Sequence, residues 1–360
     1  MFSSKKPLFV ADQPAKKPRK WLKITLMVFV VVAIIGAVVG YSQYSSYKTD
    51  LEPVDHNNPQ TEIFIVEKGD TFSAVATKLE DQGLIRSADA MRWYLRFEAE
   101  NDLKLQVGAF ELNSGQSVEE ILSSLVEGKV LQKKLTIVPA STIFDVEAAI
   151  VAAGYSEAEA QQALALDYSD HPAFADAPED ATLEGYLYPD TYLAGHLQPP
   201  QALLGLALDE TAKVLQDPAI RAGIESQGLT LHEAIILASI IEQEVSSASG
   251  DRPQVAQVFL RRLEIGMPLG ADPTFRYASQ LAGVADSVSI DSPYNTRIYA
   301  GLPPGPIGAI SRSSLQAIAD PAEGDFLYFV AGDDGNTYFN RTFQEHQADV
   351  DQYCIELCKL

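Results

Sequence analysis

Two carboxylates, two residues apart in an apolar stretch, are the first candidates for chemistry in this sequence. The stretch Ile236–Ser247 reads ILASIIEQEVSS and contains Glu242 and Glu244. An ionised glutamate is almost never fully buried unless a partner compensates its charge. Both positions fall in the last turns of a predicted helix, where the helix dipole and apolar neighbours disfavour an anion and raise the pKa of a glutamate. A raised pKa is what a general acid needs at neutral pH.

Helical periodicity does not decide between the two glutamates, because each shares a helix face with apolar residues. One of them could instead serve the structure by pairing with an arginine that is close in sequence. The nearby candidates are Arg252, Arg261 and Arg262. We expect this pairing for Glu244 and not for Glu242, which leaves Glu242 as the candidate acid.

A second candidate site is the segment LEGYLYPDTY, residues 183–192, in which tyrosines alternate with carboxylates. One interpretation is a turn flanked by core aromatics. The other is a carbohydrate cleft, because sugar rings present apolar faces to aromatic rings and hydroxyls to carboxylates. In the second interpretation Glu184, Tyr186, Tyr188 and Asp190 are candidate substrate-binding residues.

The elements before these candidates repeat one local pattern, a short alternating strand, a tight turn and an amphipathic helix. Thr71, Ser117 and Thr142 stand at the three predicted N-cap positions, and Ser117 forms a capping box with Glu120. The spacing is uneven, which excludes a solenoid. The three copies are Phe64–Leu79, Phe110–Leu125 and Leu135–Ile150.

The C-terminal half mixes predicted helices with a hairpin, so the expected fold class is α+β. An Asp-Gly turn between alternating apolar runs is a strong hairpin signal. The predicted helices after the buried one are Val255–Leu263 and Ser313–Ala319, and the hairpin strands are Phe326–Ala331 and Thr337–Asn340.

An uncharged apolar run, Ile24–Tyr41, is long enough to span a bilayer and has Trp21 and Tyr41 at its ends. Seven basic residues and one acid precede Tyr41, which predicts a cytoplasmic N-terminus and a body outside the cytoplasm. The alternative is a cleaved signal peptide, but the run is longer than the usual apolar region and no small-x-small site follows it. We therefore predict a single-pass transmembrane helix.

The charge balance and the cysteines exclude some classes of function. The chain has 27 basic and 49 acidic residues, and the part after Tyr41 is strongly acidic, which argues against nucleic-acid binding. Cys354 and Cys358 have no histidine close by in sequence to complete a tetrahedral shell, so neither a metal site nor a cofactor is expected. A disulfide and two free thiols both remain open for this pair.

These observations predict five segments. They are a basic tail (residues 1–21), a transmembrane helix (22–41), a polar tether (42–60), a small domain (61–130) and a catalytic domain (131–360). The small domain begins with Val66–Phe72, a V-x-K-G-D-T-F turn. This turn and the helix after it resemble the LysM module, which binds N-acetylglucosamine-containing glycans.

Several motifs together resemble the endolytic murein transglycosylase family, single-pass enzymes that cut peptidoglycan strands internally. They occur in the family's order, with one departure, because the usual P-E-G turn is Pro139-Ala140-Ser141 here. The matching segments are Glu184–Tyr192, Leu237–Glu244, Val258–Thr274, Tyr294–Thr296, Gly301–Ile307 and the hairpin strand ending at Asn340.

The resemblance implies that Glu242 is the catalytic acid. It would protonate the oxygen between N-acetylmuramic acid and N-acetylglucosamine, and the sugar's own C6 hydroxyl would then give a 1,6-anhydro end. A hydrolase would need a second carboxylate, for which Glu184 and Asp272 are the candidates. Tyr294 and Asn295 are candidates for orienting the glycan or stabilising developing charge.

The implied partners are peptidoglycan strands, the membrane and the peptidoglycan synthases beside which the family works. The implied location is the cytoplasmic (inner) membrane, with the body outside the cytoplasm. The alternative to an enzyme is an anchored peptidoglycan-binding module without catalysis, which would share the anchor, the LysM-like unit and the tyrosines.

Overall fold

The structure is a computed structural model that describes residues 19–99, 103–245, 250–356 and 358. The chain divides into two compact units, the first ending at Val130 and the second beginning at Leu131. The architecture is mixed α+β, as predicted.

The first unit begins with a long helix, α1 (Arg19–Leu51). Among the described residues it is the one helix long and apolar enough to cross a membrane, judged by length and composition. The sequence predicted a polar tether from residue 42, but the helix continues for another ten residues. No glycine or proline interrupts the chain between Tyr41 and Pro53, and Lys48 pairs with Glu98 at 2.8 Å. Helix propagation therefore stops only near the proline.

The rest of the first unit has the order β–α–α–β–α. The two strands pair antiparallel, from Thr61 opposite Asn113 to Val66 opposite Gly108. Thr71 caps the helix after the first strand and Ser117 forms a capping box after the second, as predicted. The elements are β1 (Thr61–Val66), α2 (Phe72–Asp81), α3 (Ala88–Phe97), β2 (Gly108–Asn113) and α4 (Val118–Glu127).

The second unit opens with a two-stranded antiparallel sheet whose partners are far apart in sequence, with Thr136 opposite Thr191. Thr142 forms the third predicted helix cap, a capping box with Asp145. The second strand was not predicted, because five residues between loops give little periodicity. The elements are β3 (Gln132–Thr136), α5 (Ile143–Ala152), α6 (Glu157–Leu164), a 3-10 turn (Pro172–Phe174), β4 (Thr191–Gly195), α7 (Pro200–Leu215) and α8 (Pro218–Ser226).

A buried helix, α9 (Leu231–Glu244), forms the centre of this unit. Every residue from Ala234 to Glu242 is buried, which is why the sequence is apolar on nearly every side. Helices α10, α11 and α12 pack against it, and the predicted hairpin is confirmed. The bounds are α10 (Arg252–Glu264), α11 (Asp272–Ala282), α12 (Arg312–Ala319), β5 (Tyr328–Ala331), β6 (Thr337–Asn340) and α13 (Phe343–Tyr353).

The C-terminal segment packs against the hairpin. The rings of Tyr338 and Tyr353 stack with centroids 3.9 Å apart. The question left open for the two cysteines has an answer in the structure, because Cys354 and Cys358 form a disulfide.

Candidate functional site

Glu242 lies in a closed network of donors. Its Oε1 accepts a hydrogen bond from Nη2 of Arg252 at 2.7 Å. Its Oε2 accepts from the main-chain N–H of Ser311 at 3.2 Å, from Oγ of Ser311 at 2.5 Å and from Oγ of Ser314. Burial raises the pKa of this carboxyl, but the hydrogen bonds from both serines and the arginine outweigh it, so the pKa lies below its usual range. Glu242 is therefore an ionised, ion-paired group.

Glu244 lies in the opposite electrostatic situation. Burial raises the pKa of its carboxyl to about 7, and the negative charge of Asp272 adds to the effect. The main-chain N–H of Asp272 and the charges of Arg276 and Arg297 act in the other direction and are outweighed. A carboxyl that is protonated near neutral pH and half-buried has the properties of a general acid.

These environments overturn the expected ion pairing. The sequence predicted an arginine partner for Glu244 and none for Glu242, whereas Arg252 pairs with Glu242. The reason is that α9 ends at Glu244 and α10 begins at Arg252, so Arg252 at the start of α10 meets the buried side of α9. The expectation that a raised pKa applies to both glutamates holds only for Glu244.

The side chain of Glu244 lines a cleft of about 710 Å³. Among the described residues that line it are Glu244 and Asp272 but not Glu242. Apolar side chains from α10 and the hairpin form one part of the wall, including Phe259 and Phe329. Carboxylates beside aromatic and aliphatic surfaces suit a sugar ring, which has both hydroxyls and apolar faces.

Two arginines, Arg262 and Arg297, line the polar side of the cleft. Arg297 donates from Nε to Oδ1 of Asp272 at 2.7 Å. Arg262 lies in the wall and donates to the carbonyl oxygens of Leu327, at 2.7 Å, and Leu269. Asp272 is the N-terminal residue of α11, so its main-chain N–H is free of the helix ladder and can face Glu244.

Gln243, between the two glutamates, ties α9 to two loops. Its Nε2 donates to the carbonyl oxygens of Ala140 and Ile307, each at 3.1 Å. Ala140 has a left-handed backbone, with φ of 66°, in the middle of the turn that departs from the usual P-E-G. Its N–H also donates to the carbonyl of Ala309 at 2.9 Å, so surrounding contacts hold a conformation that alanine disfavours.

Glu184 and Tyr294 meet in a second cluster, through Tyr277. Glu184 is buried and accepts from the N–H of Ile143 and from the hydroxyl of Tyr277, each at 3.0 Å. Burial raises the pKa of Glu184 to about 7, although both donors act against the rise. The rings of Tyr277 and Tyr294 lie 5.2 Å apart. Glu184 thus connects the first turn of α5 to α11, which carries Asp272.

The remaining residues of the predicted carbohydrate cleft lie elsewhere. Tyr186 is buried, stacks on Phe174 and shares a hydrogen bond of 2.7 Å with Nδ1 of His232. Tyr188 packs partly buried against the core, and Asp190 is exposed beside β4. Residues 183–192 therefore form the turn flanked by core aromatics, the other interpretation of this segment. None of the three lines the cleft as far as the chain is described.

Asn295 is fully buried, and its side chain makes hydrogen bonds within its own loop. Its Nδ2 donates to the carbonyl oxygens of Val288 and Ile290, each at 3.0 Å, and its Oδ1 accepts from the N–H of Arg297. A side chain with all these partners does not reach a ligand. It holds the main chain of Arg297, whose side chain pairs with Asp272 in the cleft.

A model of the YceG-like family matches residues 64–352, which is most of the chain. The chain belongs to the YceG-like family. The family resemblance found in the sequence is thereby confirmed.

Two curated relatives of this YceG-like chain share a name. The endolytic murein transglycosylase of Bacillus subtilis (strain 168) is 28% identical over 337 residues, 89% of this chain and 91% of the relative. The protein of that name from Streptococcus pneumoniae serotype 2 (strain D39) is 26% identical over 368 residues, 92% of this chain and 64% of the relative. A crystal structure from Listeria monocytogenes, described as YceG-like, gives a TM-score of 0.53 at 29% identity and covers 80% of this chain and 98% of that one.

Sequence reasoning missed several cleft residues of this YceG-like protein. Arg297 follows directly on a recognised motif, and His346 lies on α13, which carried no signal at all. Within the described residues, Nδ1 of His346 is buried without a hydrogen-bond partner. Burial and the charge of Arg262 lower the pKa of His346, so the ring is neutral at pH 7.

Proposed function

We propose that this protein is a membrane-anchored endolytic lytic transglycosylase of peptidoglycan with Glu244 as its general acid. The observation that carries the proposal is the half-buried Glu244, which lies in a cleft with Asp272 and has a pKa of about 7. The names of its relatives support the substrate class.

In the proposed reaction Glu244 gives its proton to the oxygen that links N-acetylmuramic acid to N-acetylglucosamine. The bond from that oxygen to the anomeric carbon breaks, and positive charge develops on the muramic acid ring. The C6 hydroxyl of the same sugar then attacks the anomeric carbon, and its proton passes to the ionised Glu244. The new end is a 1,6-anhydro sugar, no water is consumed and the acid is regenerated.

Two features of the cleft support this chemistry. An intramolecular hydroxyl has a large effective molarity over water, so one carboxyl is sufficient. The negative charge of Asp272 raises the pKa of Glu244 before the reaction and also stabilises positive charge on the sugar ring.

The sequence-based assignment of Glu242 as the acid stays a prediction, and the geometry supports Glu244 better. Glu242 is ionised, has four donors on its two oxygens, and is 2% exposed at the side chain. Glu242 would have to separate from the positive charge of Arg252 and take up a proton before it could act as an acid. Glu244 needs no such rearrangement.

Digestion of purified peptidoglycan by the full chain in detergent, with mass analysis of the new ends, tests the proposal. The expected ends are anhydro sugars that resist borohydride. Glu244→Gln should abolish them, because general acid–base catalysis contributes roughly 10²–10⁴-fold, and one group serves both steps here. Reducing ends would instead support a hydrolase that uses Asp272 as the second carboxylate.

A matched Glu242→Gln variant separates the two glutamates. If Glu242 is structural, the folded variant retains measurable cleavage. Cleavage lost at position 242 and retained at position 244 would reverse the assignment. No new ends from the wild-type protein would support a binding module without catalysis.

The first unit contributes binding in this proposal. Its β–α–α–β order and the turn at Gly69, with φ of 100°, support the LysM-like assignment and hence binding of N-acetylglucosamine-containing strands. Helix α1 would hold the chain in the cytoplasmic membrane, with the rest of the first unit and the second unit outside the cytoplasm.

A further inference from the structure

The first unit exposes an aromatic edge on α3. Trp93 and Phe97 are one helical turn apart, 60% and 62% exposed, with ring centroids 4.9 Å apart. The opposite face of the helix carries Met91, which is buried in the core. Two large exposed aromatic rings on one helix edge mark an interaction surface rather than a solvated one.

This edge faces the part of α1 that follows the apolar run, between Gln43 and Asp50. Arg86, just before α3, donates to the carbonyl oxygens of Pro53 and Val54, beyond the end of α1. Glu98, just after α3, pairs with Lys48 inside α1. Helix α3 therefore runs along α1 toward the apolar run, and Phe97 is the last residue of α3.

A groove of about 560 Å³ separates the two helices, and its walls include Gln43, Tyr44, Trp93 and Phe97. At a rise of about 1.5 Å per residue, Gln43 lies only about 3 Å beyond Tyr41, where the apolar run ends. The polar region of a bilayer extends about 5–7 Å beyond the hydrocarbon on each side. The end of the groove at Gln43 thus falls within the headgroup layer of any bilayer that α1 spans.

We infer that the aromatic edge formed by Trp93 and Phe97 inserts into the headgroup layer of that bilayer and binds lipid there. Aromatic rings are favoured at this depth. The exposed Arg96, whose guanidinium carbon lies 5.4 Å from the ring centroid of Phe97, supplies a positive charge for lipid phosphates, whereas Lys48 is paired with Glu98. The inference rests on the proposed membrane anchor, and it gives the first unit a second contact that fixes its height above the membrane.

The two tryptophans of the chain make the test direct, because one reports the anchor and the other reports α3. The full chain is reconstituted into vesicles of phosphatidylcholine and phosphatidylglycerol, as Trp21→Phe and separately as Trp93→Phe. Lipids brominated near the top of the acyl chain should quench most of the Trp93 emission in Trp21→Phe and shift it to the blue. Lipids brominated near the methyl end should quench it less. Phe97→Ser in the same background should weaken the quenching.

The outcomes separate the inference from the anchor. Quenching of Trp21 without quenching of Trp93, which remains open to aqueous acrylamide, would overturn the inference while the anchor stands. Quenching of neither would overturn both. Protection of Trp93 from lipid and aqueous quenchers alike would show a protein partner on this edge and would also overturn the inference.

Discussion

Nη2 of Arg252 lies 2.7 Å from Oε1 of Glu242, and the two side chains are only 12% and 2% exposed. Ser311, which caps α12, and Ser314 within α12 donate to the other carboxylate oxygen. The network joins α9 to α10 and α12, and two residues further along α9 the chain presents Glu244 to the cleft. The structural and the proposed catalytic carboxylate are thus carried by one helix end.

Loss of the charge at Glu242 should destabilise the fold. Glu242→Gln leaves Arg252 without its partner, and breaking a buried pair typically costs about 3–5 kcal/mol. Urea denaturation at pH 7 measures the change in unfolding free energy. The control is Glu264→Gln, which breaks the exposed pair with Arg261 and should cost less than about 1 kcal/mol. Equal losses in the two variants would show that the Glu242 network contributes little to stability.

Glu244 should destabilise the fold at alkaline pH. A carboxyl whose folded-state pKa is raised to about 7 costs stability as pH rises from about 4.3, its unfolded value, to 7, and the loss persists above pH 7. Glu244→Gln should therefore be more stable than wild type at pH 8, by roughly 1–3 kcal/mol, since one pKa unit is about 1.4 kcal/mol. Urea denaturation at pH 5 should show a much smaller difference. A gain that is the same at both pH values would contradict the raised pKa.

The pH profile of cleavage should follow the protonation of Glu244. We expect kcat/KM to fall as pH rises through about 7, because the acid must carry its proton. Asp272→Asn removes a negative charge that raises this pKa, so the alkaline limb should move to lower pH. Rates on a soluble glycan substrate across pH 5–9 measure the shift. An unmoved limb would show that the titrating group is not beside Asp272.

Gly185 should tolerate no side chain. Its φ is 79°, and a Cβ there would lie 2.4 Å from Cβ of Pro306. Gly154 also has a positive φ, of 91°, but has open space around the same position. Gly154→Ala isolates the backbone cost of about 1–2 kcal/mol, and Gly185→Ala should add about 1–3 kcal/mol of overpacking. Thermal melts of the two variants make the comparison, and equal shifts would rule out the contact with Pro306.

Local chemistry alone was enough to predict much of this protein. The caps at Thr71, Ser117 and Thr142, the hairpin around its Asp-Gly turn and the buried helix α9 all follow from interactions within a few residues. Such interactions are written directly in spacing and residue type. The family resemblance needed no more than the order of the motifs.

Only the tertiary structure decided which of the two glutamates is ionised and which has a raised pKa. Glu242 and Glu244 have the same neighbours in sequence, and their pKa values move apart because of groups that the sequence does not place nearby. Ser311 and Ser314 lie about seventy residues further along the chain and satisfy Glu242, whereas Asp272 approaches Glu244 from another helix. Burial and charge partners act through space, so a carboxyl's protonation state is a property of the assembled fold.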